Sequence, residues 1–282
     1  MATIFLAFLT FHNSPSPLQL PLVTSWPRRP PDVVIIGVKK GGTRALLEML
    51  KLHPRVVSPQ GEVHFYDKYF ERGTDWYLSR MPSASPDLLI IEKTPSYFVT
   101  PDAPLRMIGV NPDTRVVLVV RDPVTRLVSD FVQLSKGEGD FETFVLSPDG
   151  EVSIDSRPVW TGLYASHLLK WTDVFPSKQM HVVNGDRLAL DPVAEIVPLQ
   201  QFLELKPLIN EDTFYFNSTK GFFCWHSKYD KCLGEGKGRP HPEVRNETLV
   251  KLKEYYSEPN RAFFRILTSL DIYKSHTFNW SY

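Results

Sequence analysis

A chain of 282 residues, 42% hydrophobic and 23% charged, is long enough to bury a large α/β core and too apolar to stay disordered. Lys and Arg total 32 and so do Asp and Glu, so no whole-molecule field marks the chain as a nucleic-acid binder. Any polyanion must be met by a local basic cleft.

The chain opens with an apolar stretch, Met1 to Phe11, shorter than the roughly 20 residues needed to span a bilayer and without a basic start or small-residue cleavage pattern. Pro15, Pro17, Pro21, Pro27, Pro30 and Pro31 then mark an extended linker. Residues 1–31 are read as an apolar N-terminal segment, signal or anchor, followed by a Pro-rich linker, and 32–282 as one folded domain.

Four continuous, β-branched runs predict buried parallel strands: Val33 to Val38, Leu88 to Glu92, Arg115 to Val120 and Met180 to Val183. Helical spacing predicts helices over Thr43 to Leu52, Val124 to Leu134, Leu163 to Phe175, Val193 to Leu203 and Leu249 to Leu270. Alternating strands and helices imply an α/β fold: a central parallel sheet flanked by helices, with ligands at the carboxyl ends of the strands. Trp171 falls on the apolar side of its helix and reads as core; Trp160 and Trp225 stay open to core or sugar stacking. The aromatic-rich Phe214 to Phe223 and the segment after it should wrap this sheet rather than extend it.

The first strand runs into Lys39, Lys40, Gly41, Gly42, Thr43 and Arg44, and a helix starts there. Backbone N–H groups and the helix dipole favour an anion at such a turn, and glycine lets the backbone approach phosphate closely. Gly37 and Gly42 keep the spacing of the nucleotide-triphosphatase loop, but the lysines precede the glycine pair, so the loop is a relative of that motif and not a copy. The third strand ends at Arg121-Asp122-Pro123, with proline suited to the first turn of the next helix. Arg121 offers a planar fork that can hold phosphate through two hydrogen bonds.

GVKKGGTRALLEML, GEVHFYD, EKTPSYF, RDPVTRLVSDFVQ and KCLGEGKGR, in that order, resemble the heparan sulfate glucosamine 3-O-sulfotransferases. The resemblance covers about residues 33 to 275 and implies the P-loop-like sulfotransferase fold. It also implies a donor, 3′-phosphoadenosine 5′-phosphosulfate, and an acceptor, heparan sulfate or a heparin oligosaccharide. Lys39 to Arg44 would then hold the 5′-phosphosulfate, with Lys40 against the leaving phosphate, and Arg121 and Ser129 the 3′-phosphate. The loop bearing Lys237, Gly238 and Arg239 would cover the nucleotide and reach the glycan.

Glu62 stands where that family has its catalytic glutamate and is the candidate base; His64 is the candidate to orient it or to bond the acceptor. Asp67 matches an aspartate of the same network, and Lys93, at a strand end, is placed at the reacting centre. Arg44, Gln133 and Lys136 extend the acceptor side, Lys136 by its location alone. Lysines and backbone dipoles would supply the charge that Mg²⁺ supplies in kinases, so no metal is required.

Cys224 and Cys232 sit in what reads as a hairpin or tight loop, where a disulfide between them is expected; a metal site lacks a second ligand pair. Sequons at Asn217, Asn246 and Asn279, with the cysteine pair and the apolar start, point to the secretory pathway, and the resemblance implies the Golgi lumen. The alternatives are a P-loop phosphotransferase, which lacks its lysine after the glycines, and an inactive heparan-binding protein of the same fold. A small-molecule sulfotransferase is a third, but those enzymes resemble one another in using a histidine base.

Overall fold

The structure, a computed structural model, describes residues 26–135, 138–226, 231–233, 242–273, 278, 280 and 282. In chain order come β1 (Val33–Gly37), α1 (Thr43–Leu50), β2 (Val56–Val57), a π-helical turn (Phe65–Tyr69), α2 (Gly73–Ser79), β3 (Leu89–Lys93), α3 (Ala103–Val110), β4 (Arg115–Val120) and α4 (Pro123–Leu134). There follow α5 (Phe141–Val145), α6 (Arg157–Thr161), α7 (Tyr164–Thr172), β5 (Met180–Asn184), α8 (Gly185–Leu190), α9 (Pro192–Phe202), β6 (Phe214–Asn217), β7 (Phe222–Trp225) and α10 (Asn246–Leu270).

The expected strands form a five-stranded parallel sheet in the order β2-β3-β1-β4-β5. β2 was not anticipated, since two residues carry no periodic signal. Side chains alternate between the faces of a strand, so each continuous apolar run feeds two cores. Val34, Ile36, Val116 and Leu118 pack with Leu168 and Trp171 of α7 and Phe263 of α10, while Val33, Ile35, Val117 and Val119 pack with Leu46 and Leu50 of α1 and Ile196 and Leu199 of α9. Trp171 is core, as expected. Trp225 is also buried, in the hairpin β6–β7, and Trp160 lies edge-on to His167, so neither is an open sugar platform.

The strand order fixes where a ligand can sit. From β1 the chain leaves toward β2 and β3; from β4 it leaves the other way, toward β5. Loops departing in opposite directions open a crevice between the carboxyl ends of β1 and β4, the usual ligand position in an open α/β sheet. The glycine turn and Arg121 both lie there. Upstream of β1 the chain is anchored at the opposite end: Arg28 donates to the carbonyls of Ser79 and Met81 at 2.6 and 2.5 Å, and Arg29 to that of Leu88 at 2.6 Å. Among the described residues no helix is long and apolar enough to cross a membrane.

Candidate active site

The glycine turn after β1 is compact. The Gly41 N–H donates to the Val38 carbonyl at 2.9 Å, and Lys40 and Gly42 take left-handed φ values of 70° and 112°. A Cβ at Gly41 would stand 2.4 Å from the Val119 carbonyl oxygen, so glycine is required for the turn to lie against β4. Thr43 is buried at the first position of α1, and Arg44 is exposed beside it. Lys39 lies 3.0 Å from Asp130 of α4, whose other oxygen accepts from the buried Arg126 at 3.0 Å. Lys40 Nζ donates to Gln133 Oε1 at 2.8 Å, so one helix meets both lysines of the turn. Ser129 and Gln133 are one turn apart on that helix.

Arg121 is held in place by a residue the sequence did not single out. Its Nε donates to Asp186 Oδ1 at 2.8 Å, and the next backbone N–H, of Asp122, donates to Asp186 Oδ2 at 2.8 Å. The Asp186 carboxylate thus holds both the side chain and the following backbone at this strand end. Asp122 caps α4 through Thr125 N–H at 2.7 Å and accepts from the Tyr282 hydroxyl at 2.9 Å; Tyr164 donates to the Arg121 carbonyl at 2.9 Å. Asn184 caps α8 by accepting from the N–H groups of Asp186 and Arg187. Between them Gly185 nearly touches the glycine turn: a Cβ there would lie 2.0 Å from the Gly41 carbonyl oxygen. The Asn-Gly-Asp pattern after a strand was a readable cap signal; its partner Arg121 was not, being 65 residues away.

The second half of the site is the segment from Gly61 to Asp67. Val63 and Phe65 are buried, which turns Glu62 and His64 outward on one side. The two share a face as expected, but not through an extended strand. His64 has φ 55°, a left-handed conformation costing of order 1–3 kcal/mol in a non-glycine residue and typical of functional sites. That kink starts the π-helical turn and brings Asp67 back beneath the imidazole. Glu62 Oε1 accepts from Lys93 Nζ at 2.5 Å, Glu62 Oε2 lies 3.3 Å from His64 Nε2, and His64 Nδ1 lies 3.0 Å from Asp67 Oδ2. Ser96, within EKTPSYF yet unassigned from sequence, donates to Asp67 Oδ2 at 2.6 Å. Glu62 remains 38% exposed, while Lys93 is buried up to its tip, so the pair stands at the mouth of the cleft with only the acid open to an incoming group.

Beneath this surface Glu92 is fully buried, and burial pushes its carboxyl up from the ordinary value against the hydroxyls of Thr94, Tyr77 and Tyr97, which pull it down. Burial likewise raises the phenols of Tyr77 and Tyr97, keeping them protonated as donors. Lys136, Lys237, Gly238, Arg239 and Asn279 lie outside the described residues. Cys224 and Cys232 form the expected disulfide, with Cα atoms 4.4 Å apart. Asn246 is exposed at the start of α10; the Asn217 side chain accepts from Lys220 N–H and sits 4.0 Å from Cys232 Sγ. Among the described residues no cluster of three or more His, Cys, Asp or Glu is placed to hold a metal.

Residues 30–263 match the sulfotransferase domain family. Human heparan sulfate glucosamine 3-O-sulfotransferase 3B1 is 41% identical over 277 residues, 95% of this chain and 69% of that protein. Human heparan sulfate glucosamine 3-O-sulfotransferase 6 is 45% identical over 247 residues, covering 85% and 72%, and human form 5 is 39% identical over 262 residues, covering 89% and 74%. A sulfotransferase crystal structure from Alicyclobacillus acidocaldarius superposes with TM-score 0.65 over 85% of this chain and 96% of that one; at 18% identity it shows the shared fold. With relatives of that name 39–45% identical over most of its length and the sulfotransferase domain matched over residues 30–263, the chain belongs to the heparan sulfate glucosamine 3-O-sulfotransferase family.

Proposed function

We propose that this protein transfers a sulfuryl group from 3′-phosphoadenosine 5′-phosphosulfate to the 3-hydroxyl of glucosamine in heparan sulfate, with Glu62 as general base. The observation that carries this reading is the position of Glu62 between Lys93 and His64, at the sheet edge that also bears the glycine turn and Arg121.

The residues fit the donor. A turn with two left-handed positions and a glycine pressed against β4 suits a phosphate cradle, and Arg121, braced by Asp186, suits a second phosphate some distance away. In this proposal Lys40 leaves Gln133 to face the leaving phosphate oxygen, and Lys93 meets charge developing on the sulfuryl oxygens. Glu62 takes the proton of the attacking hydroxyl; His64, oriented by Asp67 and Ser96, holds Glu62 on the acceptor side. The rate enhancement rests on positioning and on preorganised charge, as in phosphoryl transfer. Charge neutralisation is assigned to lysines and backbone N–H groups and not to a metal ion. Arg44 and Gln133 line the acceptor side of the edge, with Lys136, Lys237 and Arg239 assigned there from the sequence. The disulfide supports action in an oxidising lumen, that of the Golgi.

The test is transfer of labelled sulfate to heparan sulfate by wild type and by Glu62→Gln, followed by disaccharide mapping. Labelled 3-O-sulfoglucosamine made by wild type alone supports both the reaction and the base. Folded wild type that binds the donor but transfers nothing overturns the reading in favour of a glycan-binding protein.

A further inference from the structure

Glu92 and Lys93 are neighbours on β3 and therefore point to opposite faces. Lys93 reaches the cleft and Glu62; Glu92 enters the core directly beneath, 0% exposed. Its carboxylate accepts from the hydroxyls of Tyr77 at 2.8 Å, Thr94 at 2.6 Å and Tyr97 at 3.2 Å. Burying a carboxylate among hydroxyls is a costly way to fill a core, since an apolar side chain of similar volume does so without desolvating a charge.

Two of the three hydroxyls lead onward. Tyr97 Oη accepts from the Phe65 N–H at 2.8 Å, and Thr94 Oγ1 accepts from the His64 N–H at 3.4 Å. These are the backbone donors at the left-handed kink that carries His64 and sets Glu62 and Asp67 around it. A hydroxyl has one proton and can donate it one way only. By accepting at Oε1 from both, Glu92 draws the protons of Tyr97 and Thr94 inward, which leaves their lone pairs facing the two N–H groups. The Tyr77 hydroxyl bonds the other carboxylate oxygen and the side chain of Tyr66, and its ring stacks on Phe65, so it meets the turn through side chains and not through the backbone N–H groups of His64 and Phe65.

Resting on the reaction proposed above, we infer that Glu92 is a positioning residue for that reaction: through Tyr97 and Thr94 it fixes the backbone of His64 and Phe65, and so the geometry of Glu62, His64 and Asp67. A side chain able to donate at position 92 would turn a hydroxyl around and release the kink. Displacements on the ångström scale cost transfer reactions about 10- to 100-fold in rate, and the loss falls on kcat because the donor turn is untouched.

The experiment compares Tyr97→Phe with Tyr77→Phe, each measured for heparan sulfate transfer, donor KM, thermal midpoint and amide hydrogen exchange at His64 and Phe65; Glu92→Gln is a third variant. Each tyrosine variant removes one hydroxyl from Glu92 and keeps its ring, including the stacking of Tyr77 on Phe65, and of the two hydroxyls it is that of Tyr97 that bonds a backbone N–H of the kink. The expected result is a kcat lowered about 10-fold or more in Tyr97→Phe, with donor KM unchanged and faster exchange at Phe65, while Tyr77→Phe loses comparable stability and keeps kcat. A kcat that follows the thermal midpoint equally in both variants, or unchanged exchange and kcat in Tyr97→Phe, overturns the inference. The exchange measurement does not depend on turnover. If wild type transfers no sulfate yet Tyr97→Phe alone deprotects Phe65, the proposed reaction falls and the positioning role with it, while the tie from Glu92 to the kink stands as a structural one.

Discussion

The two halves of the site are built by different means. The half proposed to hold the donor is made of strand ends: backbone turns after β1, β4 and β5 pressed together at Gly41 and Gly185, with Asp186 bracing Arg121. The half proposed to meet the acceptor is an irregular segment, Gly61 to Asp67, whose side chains form the cluster and whose backbone is tied down from below by Tyr97 and Thr94. A phosphate can be held by backbone N–H groups that a regular fold supplies at helix starts. A base has to stand at one point in space, and the segment of Glu62, the base proposed here, is held by a strained residue and buried hydrogen bonds. The difference teaches that donor binding and the chemical step should fail separately.

The largest expected effect tests that separation directly. Glu62→Gln should lower the transfer rate by about 10²- to 10⁴-fold, the range for a general base, while calorimetry finds unchanged affinity for 3′-phosphoadenosine 5′-phosphate. A matching loss of nucleotide affinity would break the comparison. Gly185→Ala should act on the other half. Its methyl group drives into the Gly41 carbonyl, an overlap costing on the order of 1–3 kcal/mol, and nucleotide affinity should fall while residual turnover at saturating donor persists.

Arg121→Ala removes charge-assisted hydrogen bonds worth about 1.5–3 kcal/mol, so nucleotide binding should weaken by roughly 10- to 100-fold with kcat less affected. Asp186→Asn should reproduce a smaller part of that loss, because it loosens Arg121 without deleting it. The smallest effect lies in neither half. His167 is buried, its Nε2 3.0 Å from the Trp160 carbonyl, and burial lowers its pKa. The unfolded chain therefore takes up a proton near pH 6.5 that the folded chain refuses, so stability is full above that pH and falls as the pH drops below it. Thermal midpoints measured downward from pH 7 should decline, and less steeply in His167→Gln, with donor affinity at neutral pH unchanged.

The same division governs what could be read from the sequence. The half proposed to hold the donor is local: a β-branched run, glycines and a helix start stand within a dozen residues at Val33 to Arg44, and Arg121-Asp122-Pro123 ends the next central strand. Periodicity and turn chemistry make both visible. Glu62, His64 and Asp67 carry no such signature; they were found by resemblance, and the left-handed turn that joins them left no mark in the residue pattern. Asp186 and Glu92 were passed over because their meaning lies in partners distant along the chain: Asp186 needs Arg121, and Glu92 links to Phe65 through Tyr97, 32 residues away from it. The two-residue β2 and the short helices α5, α6 and α8 are below the length at which periodicity speaks.

The bond between Cys224 and Cys232 bears on how the protein should be made. A reducing bacterial cytoplasm keeps both thiols free, whereas a periplasmic or secretory host lets them close. The sequence holds only these two cysteines, so a single molecule has one way to pair them and needs no isomerase to choose. Any wrong bond must join two molecules, and a non-reducing gel will show it as a dimer band.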